Sequence, residues 1–150
     1  MNSYRQSLHH IVFCTYKRKN TLPEVHHDEL YKFIWGIIKN RKSFLYRING
    51  VENHIHIFCD LHSSIGLGDF IKEIKTAANT WMKATGNYPK FESWAEGYCS
   101  ITYNEKDKDT IINYIKNQKE HHKKVTFEDE LRALLIENGI EFEEKYLFDD

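Results

Sequence analysis

His54 and His56 stand two residues apart in the segment VENHIHIFCD, residues 51–60, with Ile55 between them. Successive side chains of a strand point to opposite faces, so the two imidazoles share one face while Ile55 and Ile57 take the other. Imidazoles about 7 Å apart at the backbone can converge on one divalent cation. The same spacing also occurs on the wet side of an edge strand, so the pair alone leaves both readings open. Further along, Tyr114 and Gln118 lie four residues apart in DKDTIINYIKNQKEHH, residues 107–122. That spacing puts a phenol and an amide on one side of a helix, with Ile111, Ile112 and Ile115 on a different stripe suited to a core. A half-buried tyrosine and a surface glutamine would satisfy the same pattern.

The elements that must position these groups are legible in outline. Residues 8–16, LHHIVFCTY, are rich in β-branched and aromatic residues and predict a strand. Residues 24–40 place Leu30, Phe33, Ile34, Ile37 and Ile38 at helical spacing. Residues 43–50 predict a second strand, with Asn49-Gly50 as a turn, and 54–61 a third. Gly66 and Gly68 open a helix over 69–84 whose inner side carries Phe70, Ile71, Ile74, Ala78, Trp81 and Met82. A loop follows over 86–97, then a strand over 98–103 and helices over 107–122 and 127–137. The order β-α-β-β-α-β with trailing helices predicts an α+β, ferredoxin-like antiparallel sheet with helices on one face plus C-terminal helices. That fold hosts many functions and fixes none.

A chain of 150 residues fits a single domain over 1–150. No apolar run reaches 18 residues, so no membrane span is expected, and the first ten residues carry no apolar secretion segment. Three cysteines, Cys14, Cys59 and Cys99, sit among apolar or aromatic neighbours, which predicts reduced thiols and a cytoplasmic location. The net charge of -1 conceals a split. Residues 126–150 hold nine acidic and two basic side chains, a sum of -7, whereas residues 1–125 hold nineteen basic and thirteen acidic ones, a sum of +6. A basic body with an acidic tail suits a polyanionic partner, and equally suits a solvated acidic terminal helix.

HIH in a central strand, with YIKNQ in a helix after the fourth strand, resembles the HUH single-tyrosine transposases of the smallest bacterial insertion sequences, the TnpA type. U denotes a bulky apolar residue, here Ile55. The likeness also covers HIVFCTYKRK in the first strand, WAEGY at 94–98, YIKNQKEHH and the closing GIEFEEKYLF. The resemblance implies that His54, His56 and Gln118 hold a divalent metal, Mg2+ or Mn2+, and that Tyr114 is the nucleophile. It implies cutting and rejoining of single-stranded DNA at hairpin-bearing element ends, through a 5'-phosphotyrosine and a free 3'-hydroxyl. It implies a homodimer in which the tyrosine helix of one subunit can serve the histidine pair of the other, with NEKDKD, residues 104–109, as a polar joint.

The chemistry explains why such residues would be needed. Attack by a protein hydroxyl keeps the phosphodiester energy in a covalent link. A tyrosine with pKa near 10 is ionised to only about one part in a thousand at pH 7. A nearby cation draws charge off the phosphoryl oxygens and favours the phenolate. By this reading Lys17, Arg18, Lys19, Arg41, Lys42, Lys72 and Lys75 would contact phosphates, and Trp94 and Tyr98 would stack on bases or pack in the core. Glu52 and Asp60 flank the histidines, but no carboxylate is an obvious fourth ligand. His121 and His122 are expected outside the ligand set, and His9, His10, His26 and His27 have no partner by spacing. Three alternatives keep part of the pattern. One is a domesticated hairpin-nicking endonuclease of the same family, another a non-catalytic single-stranded nucleic-acid-binding module on a ferredoxin-like sheet. The third, a metal hydrolase acting on small molecules, gives Tyr114 no task.

Overall fold

The computed structural model describes residues 1–148; the end of the acidic stretch, residues 149 and 150, lies outside them. Strands β1 (Leu8–Cys14), β2 (Phe44–Gly50), β3 (His54–Asp60) and β4 (Cys99–Tyr103) form one antiparallel sheet in the order β2-β3-β1-β4. Helix α1 (His27–Asn40) joins β1 to β2, and α2 (Leu67–Thr85) joins β3 to β4. This is the ferredoxin-like arrangement expected from the element order.

Alternation along the strands divides labour between the two sheet faces. Ile11 and Phe13 of β1 and Ile55, Ile57 and Cys59 of β3 pack against Leu30, Ile34 and Ile38 of α1 and Phe70, Ile74 and Met82 of α2. The opposite face carries Leu8, His10, Val12, His54, His56 and Phe58. It is covered by the C-terminal helices α3 (Lys108–Lys116), α4 (Gln118–His121) and α5 (Phe127–Glu137). Ile111 and Ile115 of α3 meet Leu8 and Phe58, while Phe127, Leu134 and Leu135 of α5 meet Val12, Cys99 and Ile101. The histidine pair therefore sits on a central strand under a helical cover, not on a wet edge.

Two local features differ from the sequence expectation, each for a physical reason. Asn49 and Gly50 belong to β2, opposite His56 and Ile55, and the connection to β3 falls at residues 51–53. Gly50 is there for space: a Cβ at this position would lie 2.3 Å from the carbonyl oxygen of His54. The helix expected over 107–122 is interrupted at Asn117, whose backbone leaves the helical region at φ -94° and ψ 16°. Asparagine competes for backbone hydrogen bonds and is a poor interior helix residue. The start of α5 is fixed by Thr126, whose side-chain oxygen accepts a hydrogen bond from the Asp129 amide at 3.2 Å. No helix among the described residues is long and apolar enough to cross a membrane.

Candidate metal and nucleophile site

The side chains of His54 and His56 are completely buried, and their Nε2 atoms point away from the sheet toward α4 and α5. They meet a carboxylate there. Oε1 of Glu130, from the first turn of α5, lies 3.3 Å from His54 Nε2, 3.1 Å from His56 Nε2 and 3.0 Å from His122 Nε2. The Gln118 amide oxygen joins the same point, 3.4 Å from His54 Nε2 and 2.9 Å from His122 Nε2. The other carboxylate oxygen, Oε2, accepts hydrogen bonds from the Tyr114 hydroxyl and from Gln118 Nε2 at 2.9 Å. His121 Nε2 lies 3.4 Å from that oxygen on the outer side. The Tyr114 ring stands edge-on to His56, with centroids 5.9 Å apart. The structure thus brings together all four residues that the sequence singled out for chemistry, within one chain.

Neighbouring acceptors set which nitrogen of each imidazole carries the proton. Asn53 Oδ1 accepts from His54 Nδ1 at 2.7 Å, and the Asn53 amide is oriented by donating to the Arg18 carbonyl. The Val125 carbonyl accepts from His122 Nδ1 at 2.8 Å. When neutral, both rings present bare lone pairs on Nε2, facing the Gln118 and Glu130 oxygens. Burial, only partly offset by the nearby Glu130 carboxylate, lowers the His54 pKa to about 4, so this ring is neutral at pH 7. A buried set of lone pairs aimed at one another is destabilising unless a cation sits among them. The ligand atoms of His54, His56, His122 and Glu130 all lie within 4.8 Å of one another, a spacing that one divalent ion can span. The residues therefore fit a metal ion.

Two further groups hold the site. His10 Nε2 lies 2.8 Å from His56 Nδ1, behind the histidine pair, and its ring is stacked on His56 with centroids 5.1 Å apart. Asn49 Nδ2 donates to the carbonyls of Ile115 and Lys116 at 3.0 and 3.1 Å, pinning the end of α3 to β2 and with it Tyr114. Burial and then the charge on Glu130 push the Tyr114 phenol above its ordinary range. Burial alone would raise the Glu130 carboxyl, but the His122, His54 and His56 rings gathered around Oε1 reverse this and hold it well below the usual carboxylate range.

Several expectations are corrected by this geometry. A carboxylate does join the cluster, but from Glu130 in the acidic stretch, where the side chain is 1% exposed. His122 stands inside the cluster, and His10, which has no partner by spacing, is buried against His56. The signal available for Glu130 was its place four residues after a threonine that caps a helix, with Leu134 one turn on; periodicity marked the face but not what it would meet. Asp60 is engaged by Arg5 at 2.7 Å and the Ser7 amide at 3.1 Å.

The seven basic residues lie outside the cluster around Glu130. Lys17 and Arg18 adopt positive φ in the turn after β1, at 52° and 55°, and the Arg18 guanidinium lies over the Phe148 ring, 3.4 Å from Glu128. Lys19 pairs with Glu92 at 2.8 Å, and Arg41 makes a two-pronged pair with Glu73, both contacts at 2.6 Å. Lys42 follows α1 at φ 56°. Lys72 is exposed, whereas Lys75 donates to the Ala95 and Gly97 carbonyls. Trp94 is buried, its indole N–H donating to the Lys75 carbonyl, and Tyr98 is exposed. A cleft of about 450 Å³ runs beside the cluster, with Asn53, Lys119, His122 and Phe127 in its wall.

A ferredoxin-like sheet with a buried His-Ile-His strand, facing a helical tyrosine and a glutamine four residues on, defines an HUH single-tyrosine transposase. The chain belongs to the IS200-like transposase family, whose profile, described as "Transposase IS200 like", matches residues 3–118. That match contains His54, His56, Tyr114 and Gln118 and ends before His122 and Glu130. No curated protein sequence matches the chain. Among solved structures, a candidate transposase from Deinococcus radiodurans R1 superposes with a TM-score of 0.61 at 22% identity, covering 79% of this chain and 98% of the other. A REP-associated tyrosine transposase bound to a REP hairpin superposes with a TM-score of 0.61 at 18% identity, covering 83% of this chain and 76% of the other. At these identities the likeness shows the fold.

Proposed function

We propose that this transposase cuts and rejoins single-stranded DNA at hairpin-bearing element ends, with Tyr114 as nucleophile and His54, His56 and Gln118 as ligands of Mg2+ or Mn2+. The carrying observation is the convergence of the phenol, the amide oxygen and both imidazoles around one point in one chain. It favours a tyrosine helix that works on its own subunit's histidines, with the dimer arranged around two such centres.

In the first step the Tyr114 oxygen bonds to the scissile phosphorus and the P–O3' bond breaks, leaving a 5'-phosphotyrosine and a 3'-hydroxyl. The departing phenol proton has an acceptor in place at Glu130 Oε2. The bound divalent ion would draw charge off the phosphoryl oxygens and favour the phenolate, offsetting the burial that holds the proton on Tyr114. Asn49 keeps the ring on the site through the α3 carbonyls, and Asn53 and His10 keep the imidazole lone pairs turned inward. Rejoining is the same displacement run backwards by a new 3'-hydroxyl. Exposed cations, Lys72 among them, would hold the phosphates of the strand, and the REP hairpin on the structural neighbour supports a hairpin substrate. A non-catalytic module using an open sheet face is disfavoured, because helices cover both faces.

The test is incubation with labelled single-stranded hairpin DNA and Mn2+, followed by denaturation. A covalent adduct is expected for the native chain and none for Tyr114→Phe. An undiminished adduct in Tyr114→Phe removes the proposed nucleophile.

A further inference from the structure

We infer that His122 and Glu130 are ligands of the same ion, making a centre of three imidazole nitrogens, one amide oxygen and one carboxylate that selects Mn2+ over Mg2+. The inference rests on the metal-assisted reading above and extends it to residues beyond the family match. Three observations support it. First, Nε2 of His122 lies as close to Glu130 Oε1 and Gln118 Oε1, at 3.0 and 2.9 Å, as the two strand histidines lie to that carboxylate. Second, the Val125 carbonyl holds the His122 proton on the outer nitrogen, so the inner one is a lone pair with no donor opposite it. Third, Glu130 is placed by a capped helix start, and its carboxylate is buried with three imidazoles around one oxygen. A buried carboxylate in that setting is stabilised by a cation, and the α5 N-terminus adds favourable dipole.

The donor set carries the selectivity. Mg2+ prefers oxygen ligands and keeps most of its waters, whereas three imidazoles suit softer divalent ions. Glu130 also ties the ion to the nucleophile, since one oxygen faces the imidazoles and the other receives the Tyr114 hydroxyl. Loss of Glu130 should therefore weaken the metal and loosen the phenol together. Glu130 is here both a ligand and a positioning residue for Tyr114.

Binding of Mn2+ alone, measured by calorimetry and by pulsed electron paramagnetic resonance, tests this without reference to activity. One Mn2+ with three histidine nitrogens is expected, held against Mg2+ in excess. Glu130→Gln and His122→Ala should each weaken it by more than the roughly 10- to 100-fold typical of losing an outer-shell partner, and His122→Ala should show two nitrogens. Circular dichroism of each variant separates ligand loss from misfolding, and the nitrogen count on the native chain needs no variant. If His54→Ala loses the ion while His122→Ala and Glu130→Gln bind it as the native chain does, with two nitrogens throughout, the extra ligands are refuted and the metal-assisted reading stands. Equal competition by Mg2+ refutes the selectivity. A native chain that binds no Mn2+ sinks the metal-assisted reading itself.

Discussion

Replacing His10 by phenylalanine should separate metal affinity from stability. His10 is neutral at pH 7, because burial and then the neighbouring His56 lower its pKa to about 3. For His56 to offer Nε2 as a ligand, its Nδ1 must carry the proton and donate it to His10 Nε2, 2.8 Å away. The His10 proton then sits on Nδ1, which has no partner and is buried. An unsatisfied buried donor costs about 1–3 kcal/mol. His10→Phe removes that orphan but creates another at His56 Nδ1, so the two penalties largely cancel. What remains is the lost hydrogen bond, a net destabilisation of about 1 kcal/mol. Metal affinity should respond far more, because the His56 ring loses the partner that fixes its tautomer and orientation, an effect worth roughly 10- to 100-fold. His10→Gln, whose amide oxygen can accept the same proton, should restore most of it. Calorimetric titration with Mn2+ beside urea denaturation reads both quantities. Native Mn2+ affinity in His10→Phe would refute the orienting role, and an equal loss in His10→Gln would reduce it to packing.

Other outcomes follow from the same contacts. Asn49→Ala leaves two carbonyls at the end of α3, the Ile115 one buried, without this donor, and should lower stability by about 1–3 kcal/mol in denaturant titrations and reduce adduct yield through Tyr114. Phe127→Ala, which removes the ring stacked on His54 at 4.3 Å, should destabilise by about 3–5 kcal/mol. Acid should weaken the metal-free fold early. His10 and His54 have folded pKa values lowered to about 3 and 4, so between those values and 6.5 the unfolded chain binds protons that the folded chain refuses. Stability then falls as pH drops below 6.5, by about 1.4 kcal/mol per unit for each histidine; a urea midpoint unchanged from pH 7 to pH 5 would contradict it. Mn2+ at about 100 times its dissociation constant should stabilise the native chain by about 2.7 kcal/mol, reversed by a chelator, and should do little for His54→Ala.

The fold was legible because each element carried its own pattern. The alternation in HIHIFCD predicts that both imidazoles share a face, and the isoleucines do pack on the other side, under α1 and α2. The four-residue spacing of Tyr114 and Gln118 likewise survives the break at Asn117, since the chain resumes its turn at once. What could not be read was contact across long separations. Glu130 is 74 residues from His56, and its neighbourhood marks a helix face without saying that two strand histidines stand opposite it. His10 looks like any strand histidine until the β1–β3 register sets it behind His56. Both gaps have one cause: periodicity tells which way a side chain points, and only the packing of helices on the sheet tells what stands there.

That packing also explains how a polar cluster can be afforded on a sheet face. One face of β1 and β3, with Ile11, Phe13, Ile55, Ile57 and Cys59, anchors α1 and α2, leaving the other free to carry the histidine cluster without loss of the main core. Around the cluster, Leu8, Phe58, Ile111 and Ile115 close one flank and Val12, Phe127, Leu134 and Leu135 the other, so water is kept from the imidazoles. Tyr114 and His121 are only partly buried on the outer side of the cluster, and the cleft described above runs past His122. On the proposed reading, a phosphate reaching Tyr114 would pass His121, from the side where Oε2 of Glu130 meets the hydroxyl. Substitutions that bulk up His121 should then lower the adduct yield while leaving Mn2+ binding intact, and an unchanged yield would refute that approach.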